Sequence, residues 1–209
     1  MVRRRTQHRS RSQKLLLSAA ILGCAASIAG LGTFASFTST TSASQTVASG
    51  TVTIALGATG ASTNRLTVNA TGIAPGDTIQ RSFTLANTGS QDLASVTVST
   101  SATSSSLLDT DATDGLQMVI ERCSVAWVEA GISPAFTYTC AGTTSTVLAS
   151  RAVIGSNLSL SNLTATTAGN TDHLRLTMTL PASAGNALQN QSSTIQYSFT
   201  GTQRAGTNK

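Results

Sequence analysis

Apolar residues recur at every second position along much of this chain, a spacing that suits a strand with one buried face and little else. Thr51-Val52-Thr53-Ile54-Ala55-Leu56 sets Val52, Ile54 and Leu56 on one side and small or hydroxyl-bearing residues on the other. Arg65-Leu66-Thr67-Val68-Asn69 repeats the pattern. Between Ile79 and Leu85 the inward set is Ile79, Phe83 and Leu85, interrupted by Arg81 as at a sheet edge. Val96 and Val98, the stretch from Leu116 to Cys123, then Leu174, Leu176, Met178 and Leu180, and finally Ile195, Tyr197 and Phe199 extend it toward the C-terminus. Threonine fills many of the polar positions, and its branched β carbon packs well on a pleated surface.

Turn signals fall between these stripes. In Ala74-Pro75-Gly76-Asp77 the proline presets φ and the glycine tolerates positive φ. Asn87-Thr88-Gly89-Ser90 marks a second connection, Thr100 to Ser106 reads as a Ser/Thr-rich one, and Pro181 stops the strand that ends at Leu180. Beyond the N-terminal leader no window has a helical period, apart from one turn at Asn186 to Asn190. The expected fold is all-β, an antiparallel β-sandwich or jelly roll, preceded by a helical signal peptide.

Charge separates that leader from the rest. Six of the 13 Lys and Arg (Arg3, Arg4, Arg5, Arg9, Arg11 and Lys14) open the chain without one acidic residue among them. The remaining 7 basic residues face 8 acidic ones, so no cationic surface for nucleic acid is expected. From Leu15 to Leu31 the chain is uncharged, then small residues follow, which is the pattern of a secretory signal. A retained membrane helix is the alternative, and membrane contact is expected only through an uncleaved leader. Ile21-Leu22-Gly23-Cys24 also approximates a lipidation motif. Without the leader Cys123 and Cys140 remain, and an oxidising compartment favours their disulfide over two free thiols. A loop of that size contributes about 3 kcal/mol by restricting the unfolded chain. The expected layout is residues 1–35 as signal peptide, 36–49 as a flexible arm, 50–204 as the β domain and 205–209 as a disordered tail.

Four blocks of this sequence resemble the TasA/camelysin (CalY) family of secreted bacterial matrix proteins. Gly32-Thr33-Phe34-Ala35-Ser36-Phe37 is similar to the family's leader end, with Ala35 before the cut and Ser36 after it. Thr46 to Ile54 resembles its first strand, and Ile73-Ala74-Pro75-Gly76-Asp77-Thr78 with Phe83 to Gly89 resembles its Pro-Gly-Asp block. Gln191 to Gln203 resembles its last strand, while the middle, with both cysteines, is unlike TasA itself. The resemblance implies a jelly roll, a dedicated signal peptidase as partner, and polymerisation when the N-terminal strand of one subunit enters the next. Residues 36–49 suit that role, being rich in Ser and Thr with two apolar anchors, Phe37 and Val47. Alone they bury too little to fold; on a neighbour's open edge they gain a hydrogen-bond ladder. A frayed tail is the plain alternative.

The name camelysin also carries a metalloprotease activity. Past the leader there is one histidine, His173, and no His-Glu-x-x-His, whereas hydrolytic zinc needs about three protein ligands and a base. Gly-x-Ser-x-Gly is absent too. Asp109, Asp111 and Asp114 imitate a calcium loop, but the third acid is one place late for an EF-hand. No cofactor is expected. The expected function is a structural subunit of the Gram-positive cell surface or matrix that self-associates into fibres. A secreted metallopeptidase and a monomeric adhesion module are the alternatives. N-terminal sequencing of the secreted protein should begin at Ser36; a start at Cys24 or Met1 would replace that boundary.

Overall fold

Side chains two apart on a strand share a face, and in the computed structural model of this protein, which describes residues 49–207, that rule sorts the apolar stripes into one core. The leader, the Ala35–Ser36 junction, Phe37 and Val47 lie outside the described residues. In chain order the strands are β1 (Ile54–Leu56), β2 (Thr78–Asn87), β3 (Leu93–Ser104), β4 (Gln117–Cys123), β5 (Trp127–Ile132), β6 (Ala135–Cys140), β7 (Thr144–Ala152), β8 (Gly155–Leu160), β9 (Thr171–Thr179) and β10 (Thr194–Gln203). A one-turn helix, α1 (Leu107–Thr110), joins β3 to β4. Every ladder is antiparallel.

The strands form a five-stranded sheet (β1-β2-β9-β4-β7), a three-stranded sheet (β10-β3-β8) and the separate β5–β6 hairpin. Phe83 and Leu85 of β2, Met118 and Ile120 of β4, and Leu174 and Leu176 of β9 meet Val96 and Val98 of β3 and Leu160 of β8 in the core. The rings of Phe83 and Phe199 of β10 join the two sheets at 5.4 Å between centroids. The chain passes from one sheet to the other between β7 and β8, where Val153 is fully buried.

The hairpin covers part of the other face of the larger sheet. A disulfide ties Cys140 on β6 to Cys123 on β4, with a Cα separation of 5.7 Å. The Arg175 guanidinium stacks on Trp127 at 4.3 Å from the ring centroid and pairs with Glu121. The Trp127 indole N–H donates to the His173 carbonyl at 3.1 Å. Arg65 donates to both oxygens of Glu129, at 2.9 and 2.6 Å, and the Tyr138 hydroxyl donates to the same carboxylate at 2.8 Å.

Several expectations change. Residues 65–69 form no strand: one bridge joins Asn64 to Phe83, and a turn follows in which Val68 N–H donates to the Arg65 carbonyl at 2.9 Å. Arg81 is buried rather than exposed at an edge, and its guanidinium takes the carbonyls of Val68, Asn69 and Gln80. An arginine side chain thus stands where a ladder would have continued. Val52 and Leu56 remain 37% and 38% exposed, because β1 is only three residues long and ends its sheet. The Thr100 to Ser106 stretch is strand as far as Ser104, with the Thr100 hydroxyl donating to the buried Val153 carbonyl at 2.6 Å.

Leu174 is fully buried at the centre of the larger sheet. Leu174→Ala should cost about 2–5 kcal/mol, read from the midpoint of urea unfolding; a loss under about 1 kcal/mol would contradict this packing.

Candidate assembly edge

Ile195, Tyr197 and Phe199 alternate along β10 and pack against the core, yet all three remain half-buried. The cause is topological. β10 pairs with β3 along its whole length, from Thr194↔Ser104 to Gln203↔Leu93, and no described strand lies on its other side. Its ten residues, Thr-Ile-Gln-Tyr-Ser-Phe-Thr-Gly-Thr-Gln, include no charge and no proline, the two residue classes that usually blunt an open edge. Burial pushes the Tyr197 phenol well above its ordinary pKa. At Gly201 a Cβ would come within 3.1 Å of both Ile54 and Leu93, so the glycine permits the approach of β1 to β10.

Both ends of β10 are clasped. Before its first residue, the Ser193 hydroxyl donates to Asp109 at 2.5 Å and lies 2.7 Å from the Ser106 hydroxyl. Asp109 also accepts from the Ser105 hydroxyl at 2.8 Å and the Ser106 N–H at 2.7 Å, the latter closing a capping box on α1. The carboxylate is 6% exposed. Burial pushes its pKa up, but the hydrogen bonds from Ser193, Ser106 and Ser105 outweigh this and hold it below the usual value. After the last residue, Arg204 donates to the Gln91 side chain at 3.0 Å and to the Asp92 carbonyl at 3.2 Å. It also holds Ala205 and Thr207 of the expected tail, at 3.0 and 3.2 Å.

The chain enters the domain at that same end. Ser90 N–H donates to the Thr51 carbonyl at 2.9 Å, Thr51 N–H to the Ser90 hydroxyl at 3.0 Å, and Thr88 N–H to the Thr53 carbonyl at 2.9 Å. Residues 51–53 thus lie beside the β2–β3 turn, near the finish of β10.

The candidate metal residues are spent locally. Asp109 belongs to the clasp. Asp111 accepts from the N–H groups of Thr113 and Asp114, at 2.9 and 3.0 Å, closing its own turn, and those bonds lower its pKa. Asp114 accepts from the Ser183 hydroxyl at 2.6 Å. His173 pairs across the sheet with Thr84 and Cys123. Glu121 is taken by Arg175 and Glu129 by Arg65, whose hydrogen bonds lower the Glu129 pKa. Asp172, which the sequence reading passed over, is fully buried, accepts from Thr164 and Ala165, and lies 2.7 Å from Arg122 Nε without a linear N–H···O bond.

The profile of the camelysin metallo-endopeptidase family matches residues 12–208, and the chain belongs to that family. No curated protein sequence matches it. The zinc that the family's description implies requires about three protein ligands. The described residues do not fit it: no three His, Cys, Asp or Glu gather there, Cys123 is oxidised, and Glu121 and Glu129 face arginines.

Because the folded Asp109 pKa lies below the unfolded value of about 3.9, the clasp stabilises the domain above that value. The contribution is lost as pH falls through the folded pKa. Between pH 7 and 2 the wild type should lose more stability to urea than Asp109→Asn, whereas parallel acid limbs would contradict this role.

Proposed function

We propose that this camelysin-family chain is a secreted, non-enzymatic structural subunit of the bacterial cell surface or extracellular matrix. In this reading signal peptidase frees residues 36–49, which then complete the β10 edge of the next copy. The observation that carries it is the ten-residue, uncharged β10 edge, unpaired among the described strands, with a half-covered apolar stripe behind it. An added strand would satisfy the open N–H and C=O groups and cover Ile195, Tyr197 and Phe199. Phe37 and Val47 share strand parity, so both anchors fall on one face of the arm.

Strand direction favours a neighbour over self-insertion. Thr51, just past the arm, stands where β10 finishes. Folded back on its own domain it would run parallel to β10. Extended onto a subunit stacked beyond that end, it runs antiparallel, like every other ladder in the fold. Parallel pairing is slightly the weaker of the two. The arm's 14 residues reach about 46–50 Å when extended, against about 33 Å for ten strand residues. A contact of this kind repeats without closing, which makes filaments.

The family's secreted members and the disulfide support export. The mature protein should form filaments seen by electron microscopy, and a variant lacking residues 36–49 should not. Mixed in, that variant should shorten wild-type filaments, because it accepts an arm and donates none. Equal assembly with and without the arm would end this reading. The family's description favours an endopeptidase as the second reading; stoichiometric zinc with chelator-sensitive casein cleavage would establish it, and a wild type that stays monomeric would leave an adhesion module.

A further inference from the structure

The larger sheet carries a strand as long as β10 near its own edge, and that strand is covered. β2 has ten residues, and β1 pairs with only three of them, Leu85, Ala86 and Asn87. Along positions 78–84 the outer side of β2 lies beyond the reach of β1, and residues 57–69 lie against it instead. Thr84 N–H donates to the Thr63 carbonyl at 2.8 Å, and the Thr84 carbonyl accepts from Gly57 N–H at 3.3 Å. Arg65 N–H donates to the Ser82 carbonyl at 2.8 Å, and the Ser82 hydroxyl donates to the Ser62 carbonyl at 2.6 Å.

Beyond Ser82 the Arg81 side chain takes over. Its guanidinium donates to the Gln80 carbonyl of β2 at 2.6 Å, and to the carbonyls of Val68 and Asn69 in the covering segment at 2.9 and 3.4 Å. Arg81 shares strand parity with Phe83 and Leu85, so an apolar side chain at this position would extend the core. It is 2% exposed, and its hydrogen-bond acceptors are all carbonyls. Replacing a buried charge by a well-packed apolar side chain is often neutral or stabilising. Stability by itself therefore does not account for an arginine here.

The covering segment is built of turns. Ala61 N–H donates to the Ala58 carbonyl at 3.1 Å, Asn64 N–H to Ala61 at 2.8 Å and Val68 N–H to Arg65 at 2.9 Å. It thus occupies the groups of β2 without presenting a ladder of its own, which ends the sheet. Arg65 fastens it to the hairpin through Glu129. Other edges are blunted differently. On β7 the Ser161 N–H and hydroxyl take the Val147 carbonyl at 3.0 and 3.2 Å, and the Asn162 side-chain amide takes the Thr146 carbonyl at 2.8 Å. β8 has six residues and bends at Asn157, where φ is 51°. Resting on the strand-donation reading above, we propose that Arg81 and residues 57–69 are an edge guard: they hold β2 against a donated arm, so each subunit accepts one neighbour, at β10, and filaments do not branch.

The test compares the mature wild type with R81M, which removes the three carbonyl bonds and keeps an unbranched side chain. Wild-type filaments should be unbranched in electron micrographs. R81M, folded by circular dichroism, should give branched filaments, because arms then enter at β2 as well as at β10. Folded R81M with unbranched filaments overturns the proposal. Should R81M fail to fold, R65A/E129A, which loosens the same segment from its part-exposed side, is read by the same two outcomes. If the wild type forms no filaments, strand donation fails, and the guard is decided separately by sedimentation and hydrogen exchange. Self-association of the guard variant, with exchange newly slowed at the Gln80 and Ser82 amides, would support a guarded edge. A variant that stays monomeric, or associates without slowing those amides, would overturn it.

Discussion

Two antiparallel sheets of unequal width share one core, and among the described residues the narrower sheet has its two outer strands, the long β10 and the short β8, each paired on one side only. Buried backbone and apolar surface both need partners, so this inequality governs the rest of the molecule. Among the described strands β10 pairs with β3 alone, and it packs on the core through Phe199 against Phe83. The polar clasps at its two ends substitute for the missing lateral support. Asp109 with three serines holds the beginning, and Arg204 on Gln91 and Asp92 holds the end. Both clasps leave the long edge between them open.

A chain with only 10% charged residues has few to spend on solubility, and among the described residues this one uses its arginines mainly as internal fasteners. Arg81 caps carbonyls, Arg122 faces the buried Asp172, and Arg65 and Arg175 secure the hairpin. A planar guanidinium with several fixed donors can satisfy carbonyls, carboxylates and an aromatic face together, which an ammonium cannot. The disulfide adds a covalent restraint to the same hairpin, in keeping with an oxidising compartment.

That commitment also bears on the family's peptidase description. Acids that face arginines or serine hydroxyls are already coordinated, and drawing them to a cation would strip several hydrogen bonds from partly or fully buried groups. The carboxylates stabilise this fold where they are. Among the described residues the capacity left over is backbone pairing along the β10 edge.

The strands legible in the sequence, β2, β3, β4, β9 and β10, have one face on the core, where burial enforces a period of two. The Ala74–Asp77 turn, the stop at Pro181 and the cysteine pair were legible for equally local reasons. The capping box of Ser106 and Asp109 was written in the sequence as well, but a one-turn helix is too short to show a helical period. The hairpin was not legible. Its inward residues Trp127, Glu129 and Tyr138 meet arginines, so the alternating apolar residues of β5, Val128, Ala130 and Ile132, lie on the exposed side and mark no core face. Arg65 to Asn69 alternates convincingly, yet Arg81 takes its carbonyls from across the sheet. The sequence by itself determined that the chain opens on a basic and then uncharged segment and is built of half-buried strands, since charge placement and alternation are local properties. Only the tertiary structure decided which strands stand at sheet edges and which acids are occupied, because pairing and salt bridges join residues far apart along the chain.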